Sequence, residues 1–137
     1  MTKTDNFYNS LDLSSFEEGS AYRHYDWDRR IFGPGMFTPS ISRDAFYNFF
    51  RLLCTSFTLP CPSFEKINQR NRAVTLILDN TIEVGEAVLN PYVVIHEFVH
   101  WYAWHKFKIY VTHNRPWAKK FERRLVWKTK KYWEVLK

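Results

Sequence analysis

His96, Glu97 and His100 stand in the order H-E-x-x-H inside the apolar run Val93-Val94-Ile95-His96-Glu97-Phe98-Val99-His100-Trp101. On a helix, residues four apart lie on one face about one turn from each other. Two imidazoles at that spacing can share one zinc ion. Glu97 then projects beside the metal, where a carboxylate can take a proton from a water molecule. Burying two histidines and a glutamate among Ile95, Phe98, Val99 and Trp101 costs several kcal/mol unless something pairs with them. A coincidental solvated face is the bland alternative, and the apolar flanks argue against it.

A catalytic zinc ion takes three protein ligands and leaves one position open, so a third ligand must come from elsewhere. His105 is close in sequence, but five residues past His100 turns it about 140° around the helix. Ala103 and Lys106 also break the longer pattern H-E-x-x-H-x-x-G-x-x-H, so His105 reads as a surface group or one that supports a ligand from behind. Glu122 is a possible carboxylate ligand, but it lies between Lys119-Lys120-Phe121 and Arg123-Arg124, which read as a solvated basic face. His113 is the favoured third ligand. It follows a connector long enough to reverse direction and directly precedes Asn114, which reads as the cap of a further helix.

With those residues in place, the chain resembles the SprT-like zinc metalloproteases. The resemblance runs from about Val74 to Phe121 and rests on His96-Glu97-Phe98-Val99-His100, then His113-Asn114-Arg115-Pro116-Trp117, with the Leu76-Ile77-Leu78 segment before the helix. Asn114 stands where that family usually has glycine. The resemblance implies a small zincin-like α+β domain over residues 41–137, with His96, His100 and His113 on Zn2+ and Glu97 as the catalytic proton acceptor. The substrate would be protein, cut through a water activated at the metal, near or on DNA. Tyr102, Tyr110 and His105 are the candidates for a second donor to the oxyanion. The contrasting reading is a non-catalytic, zinc-stabilised module that binds DNA or a protein partner.

The elements that must position these groups follow from caps and periodicity. Ser42 caps a first helix over Arg43–Phe57, with Asp44 in its first turn and Leu59-Pro60 as its stop. Arg72–Asp79 is short, β-branched and flanked by turn residues, the best strand signal in the chain. Ser63–Asn68 reads as its partner strand, and Thr81–Val84 as a short third. Asn90-Pro91 pairs a cap with a proline at the first helical position and starts the motif helix, which runs to about Lys106. Phe107–Thr112 is a connector with room for a short extended piece. Asn114 and Pro116 open a last helix to Leu136, with a core stripe of Trp117, Phe121, Leu125, Trp133 and Leu136. The expected fold is therefore α+β: three main helices with a small antiparallel-containing sheet, the motif helix followed by a basic C-terminal helix. Residues 1–40, rich in Asp, Ser, Gly and aromatic residues with Gly33-Pro34-Gly35 and Thr38-Pro39 as breakers, read as an irregular lead-in packed on the domain, with a helical turn near Ser14–Glu18.

Composition bounds the rest. A chain of 137 residues with 12 Phe, 8 Tyr and 6 Trp reads as one domain filled largely by rings. No apolar run is long enough to span a membrane and no apolar signal core opens the chain, so a cytoplasmic protein of a bacterial or phage-infected cell is expected. Cys54 and Cys61 allow one disulfide, though reduced thiols are the simpler reading, with Cys54 on the core side of its helix. From Arg115 to Lys137 nine Lys and Arg face two Glu, a net +7 that exceeds the +6 of the whole chain. Lys119, Lys120, Arg123, Arg124, Lys128, Lys130 and Lys131, with Trp127 for base stacking, are the candidate nucleic-acid contacts. The same charges also suit an ordinary solvated face.

Overall fold

A computed structural model describes residues 39–110 and 115–136. The expected lead-in, with its turn at Ser14–Glu18, lies outside the described residues except for positions 39 and 40, and so does His113. The described elements are α1 (Arg43–Ser56), β1 (Ser63–Lys66), β2 (Ala73–Leu76), β3 (Thr81–Val84), α2 (Pro91–Phe107), α3 (Pro116–Thr129) and the short α4 (Trp133–Leu136). Single 3-10 turns occupy Glu86–Val88 and Lys130–Tyr132. The described residues form an α+β arrangement, with three main helices and a small mixed sheet.

The expected caps of the first two helices are made. The Ser42 hydroxyl accepts from the Ala45 N–H at 3.1 Å, and the Asn90 side chain accepts from the Val93 N–H at 3.1 Å. Each satisfies a backbone donor that a helix start leaves without an intrahelical acceptor. Pro91 begins α2 at no cost, because its missing N–H would have had no acceptor there. At its far end Lys108 takes a left-handed conformation (φ 56°), and its N–H bonds back to the Trp104 carbonyl at 2.8 Å.

The sheet order is β1-β3-β2. β2 and β3 run antiparallel with Thr75 opposite Ile82, whereas β1 and β3 run parallel with Phe64 opposite Ile82. This corrects the expectation that β1 pairs with β2: β3 lies between them. The reason is local. Leu76 to Asn80 closes a tight turn, with Asn80 at φ 51°, which returns β3 directly onto β2 and fills that edge. β2 is consequently shorter than the Arg72–Asp79 expectation and ends at the turn.

Helix α2 packs against α1, α3 and β2 and is buried on most of its circumference. A helix apolar nearly all round sits inside a domain, and here it forms the centre of the core. Phe57, just past α1, touches Phe98 and Tyr102 of α2 at 5.5 and 5.3 Å and Phe121 of α3 at 5.7 Å, so one ring joins three elements. The last helix is not continuous to Leu136 as its periodicity suggests. It breaks into the 3-10 turn after Thr129, whose hydroxyl donates to the Leu125 carbonyl at 2.6 Å and accepts from the Trp133 indole at 3.0 Å. Its cap is Arg115, with no side-chain cap bond, in place of the expected Asn114. The core stripe of Trp117, Phe121, Leu125, Trp133 and Leu136 is buried as its spacing requires.

Candidate functional site

The apolar flanks of the H-E-x-x-H run place it in the interior: His96 and Glu97 are buried and His100 is half-buried. The rings of His96 and His100 stand 5.2 Å apart, centroid to centroid, on one face of α2. The two nitrogens of His96 look in different directions. Nε2 lies 3.8 Å from Oε1 of Glu97, and Nδ1 lies 3.3 Å from Oε1 of Glu122. A carboxylate behind one imidazole nitrogen fixes the ring and raises the basicity of the other, which is how histidine ligands are commonly held.

Glu122 is the residue that sequence reasoning misplaced. It is only 1 % exposed, not part of the solvated basic face. Positions 117, 118, 121, 122, 125 and 126 form one inward stripe of α3, and Glu122 belongs to that stripe whatever the charge of its neighbours. The helical period was the available signal, and the flanking Lys and Arg obscured it.

Thr75 is the second residue the sequence did not single out. It sits on β2 opposite Ile82, on the sheet face that meets α2. Its hydroxyl lies 2.7 Å from Oε2 of Glu97 and 3.2 Å from the Glu97 carbonyl oxygen. A carboxylate only 2 % exposed is costly to keep charged, and a hydroxyl donor offsets part of that cost. No local pattern links positions 75 and 97; only the packing of β2 on α2 does. Among the described residues β2 is hydrogen-bonded to β3 alone, so its other side is a strand edge.

The remaining candidates fall into separate places. Tyr102 is buried with its ring against Phe57, Phe121 and Phe107 in the aromatic core. Tyr110 is half exposed and stacks on Trp104 at 4.6 Å. His105 packs on the Trp101 ring at 4.2 Å, and burial, with Lys108 adding to it, lowers its pKa below the usual histidine value. Lys120, Arg123, Arg124, Trp127 and Lys128 line the solvent side of α3, continued by Lys130 and Lys131, with Lys119 half-buried beside them. Trp127 is 81 % exposed in the middle of that face.

Among the described residues, no three His, Cys, Asp or Glu side chains gather into a metal-binding group. The fit to zinc therefore rests on the donor set of His96 and His100, with Glu122 behind His96 and Glu97 beside it. No protein-family model, curated protein or solved structure matches this chain.

Proposed function

We propose that this protein is a zinc-dependent endopeptidase, a minimal domain of the SprT-like kind. The observation that carries the reading is the environment of Glu97: a buried carboxylate held by Thr75, with its second oxygen 3.8 Å from Nε2 of a histidine whose Nδ1 faces Glu122. His96 and His100 would hold the metal, with His113 as the third ligand. Zinc bound there supplies Lewis acidity, lowering the pKa of a water and polarising a peptide carbonyl.

The chain's own residues do the rest. Glu97 accepts the proton of the attacking water and delivers it to the departing amine. Thr75 keeps one carboxylate oxygen occupied, so the other is the one that faces the reacting water. Glu122 orients the His96 ring. An extended protein segment would lie along the outer side of β2, whose backbone groups suit strand addition.

The test is Glu97→Gln, assayed on an unfolded protein substrate with zinc content measured in parallel. The expected result is full zinc retention with cleavage lowered by about 100-fold or more. Cleavage at the wild-type rate would overturn the assignment. A second reading, a non-catalytic zinc-stabilised module that binds DNA, draws support from the exposed cationic face around Trp127. It predicts zinc and nucleic-acid binding in both proteins, with no cleavage in either.

A further inference from the structure

Among the described residues the sheet has two edges, and they are built differently. β1, at one edge, reads Ser63-Phe64-Glu65-Lys66, with Glu65 and Lys66 both exposed. Charges on an outer strand discourage pairing with another chain. β2, at the other edge, has no charged side chain from Ala73 to Leu78. Val74 and Leu76 are half-buried, and Leu78, in the turn that follows, is 81 % exposed. An apolar edge of this kind is open to strand pairing.

The register shows which groups β2 presents. The Gly85 N–H donates to the Arg72 carbonyl at 2.7 Å, one step beyond the Ala73–Val84 pair. Hydrogen-bonded pairs alternate along an antiparallel ladder, so Val74 and Leu76 turn their backbone groups to β3, and Ala73 and Thr75 turn theirs outward. Side chains alternate as well. That of Thr75 meets Glu97 on the α2 side, and those of Val74 and Leu76 stand on the opposite face. Across that face Val74 is followed by Glu83 and then Glu65, so the apolar surface is confined to the edge strand.

We infer that the outer edge of β2 takes an extended apolar segment of a substrate protein and selects it by alternate side chains. The segment's backbone pairs with the outward N–H and C=O of Thr75. The residue opposite Thr75 then points towards Glu97, and the residues on either side of it lie beside Val74 and Leu76. Apolar side chains are preferred at those two positions. The docking stands on the strand geometry, whereas cleavage of the docked segment rests on the function proposed above. A second copy of the chain is a poorer occupant. The four residues of β2 span only about 13 Å, and a stable dimer needs about 1,200 Å² or more of buried surface. A partner broad enough to supply it on this face would bury the carboxylates of Glu65 and Glu83.

The test uses the full chain carrying Glu97→Gln, so that bound peptide survives. It is titrated into a fluorescein-labelled, lysine-tipped peptide in which leucine alternates with serine, and into the same peptide with asparagine for leucine, with anisotropy as the readout. The leucine peptide should bind about 10-fold more tightly or better. Leu76→Lys should remove that preference and the milder, strand-compatible Leu76→Thr should reduce it, both with the far-ultraviolet spectrum unchanged. Equal affinity for the two peptides, or a preference that survives both changes at Leu76, would overturn the inference. A concentration-dependent dimer that Leu76→Lys dissociates would also overturn it, by giving the edge to a second copy. The chain with Glu97 intact separates this inference from the proposed activity. Preferential binding without cleavage upholds the docking and sinks the protease, and cleavage of both peptides at equal rates does the reverse.

Discussion

At the scale of single residues, the proposed function gives weight to two side chains that would do no chemistry themselves. Glu122 faces Nδ1 of His96 at 3.3 Å, a position from which a carboxylate sets the direction and basicity of the ring. Glu122→Gln keeps the shape and removes the charge. It should weaken zinc retention by about 10- to 100-fold against a competing chelator, while the far-ultraviolet spectrum is unchanged. Thr75 acts on Glu97 in the same indirect way. Thr75→Val should lower the cleavage rate by about 10- to 100-fold at unchanged zinc content, since a small displacement of a reacting group carries that penalty. Thr75→Ser, which restores the donor, should recover most of it. A purely structural role for Thr75 would leave the serine and valine variants equally active once folded.

At the scale of elements, the sheet and α2 form one positioning device. β2 carries Thr75, β3 fixes the register of β2, and the turn after β3 sets where α2 begins. Gly85 stands at that turn. Its N–H donates to the Arg72 carbonyl at 2.7 Å, and a Cβ added there would meet the Gln69 and Arg70 carbonyl oxygens at 2.2 and 2.5 Å. Backbone cannot give way as a side-chain tip can, so Gly85→Ala should destabilise the fold by about 1–3 kcal/mol, read as a lower urea midpoint. The caps at Ser42 and Asn90 and the strand at Thr81–Val84 were legible beforehand, because each rests on residues within one turn of each other. The pairing of β1 with β3 was not, because pairing is chosen by which edge is already filled.

At the scale of the whole molecule, charge is segregated. The acidic and basic groups of the first 114 residues nearly cancel, and the cations from Arg115 onward lie mostly on the exposed side of α3 and the turn after it. The buried side of the same helix carries Trp117, Phe121, Glu122 and Leu125. One helix thus supports His96 from within while presenting a cationic face to solvent. If that face binds nucleic acid, affinity should fall steeply with salt. Replacing Arg123, Arg124 and Lys128 by Gln should reduce the slope of log affinity against log salt by about one unit per cation removed. Salt-independent binding, or a slope unchanged by the triple replacement, would remove this surface from consideration. Among the described residues no helix is long and apolar enough to cross a membrane.

The sequence by itself determined α1 and α2 with their starts, the apolar members of the buried stripe of α3 and the pair of histidines on one face of α2. These are short-range matters: caps, periodicity and the polarity of neighbours decide them. Only the tertiary structure decided that Glu122 is inside, that Thr75 holds Glu97 and that β3 separates β1 from β2. Those partners are 22 to 26 residues apart in the Thr75–Glu97 and His96–Glu122 pairs, and contacts at that range are fixed by how whole elements pack. The flanking charges of Glu122 misled for the same reason. Neighbours in sequence report the average exposure of a segment, whereas helical phase and the packing partner determine which side chain turns inward.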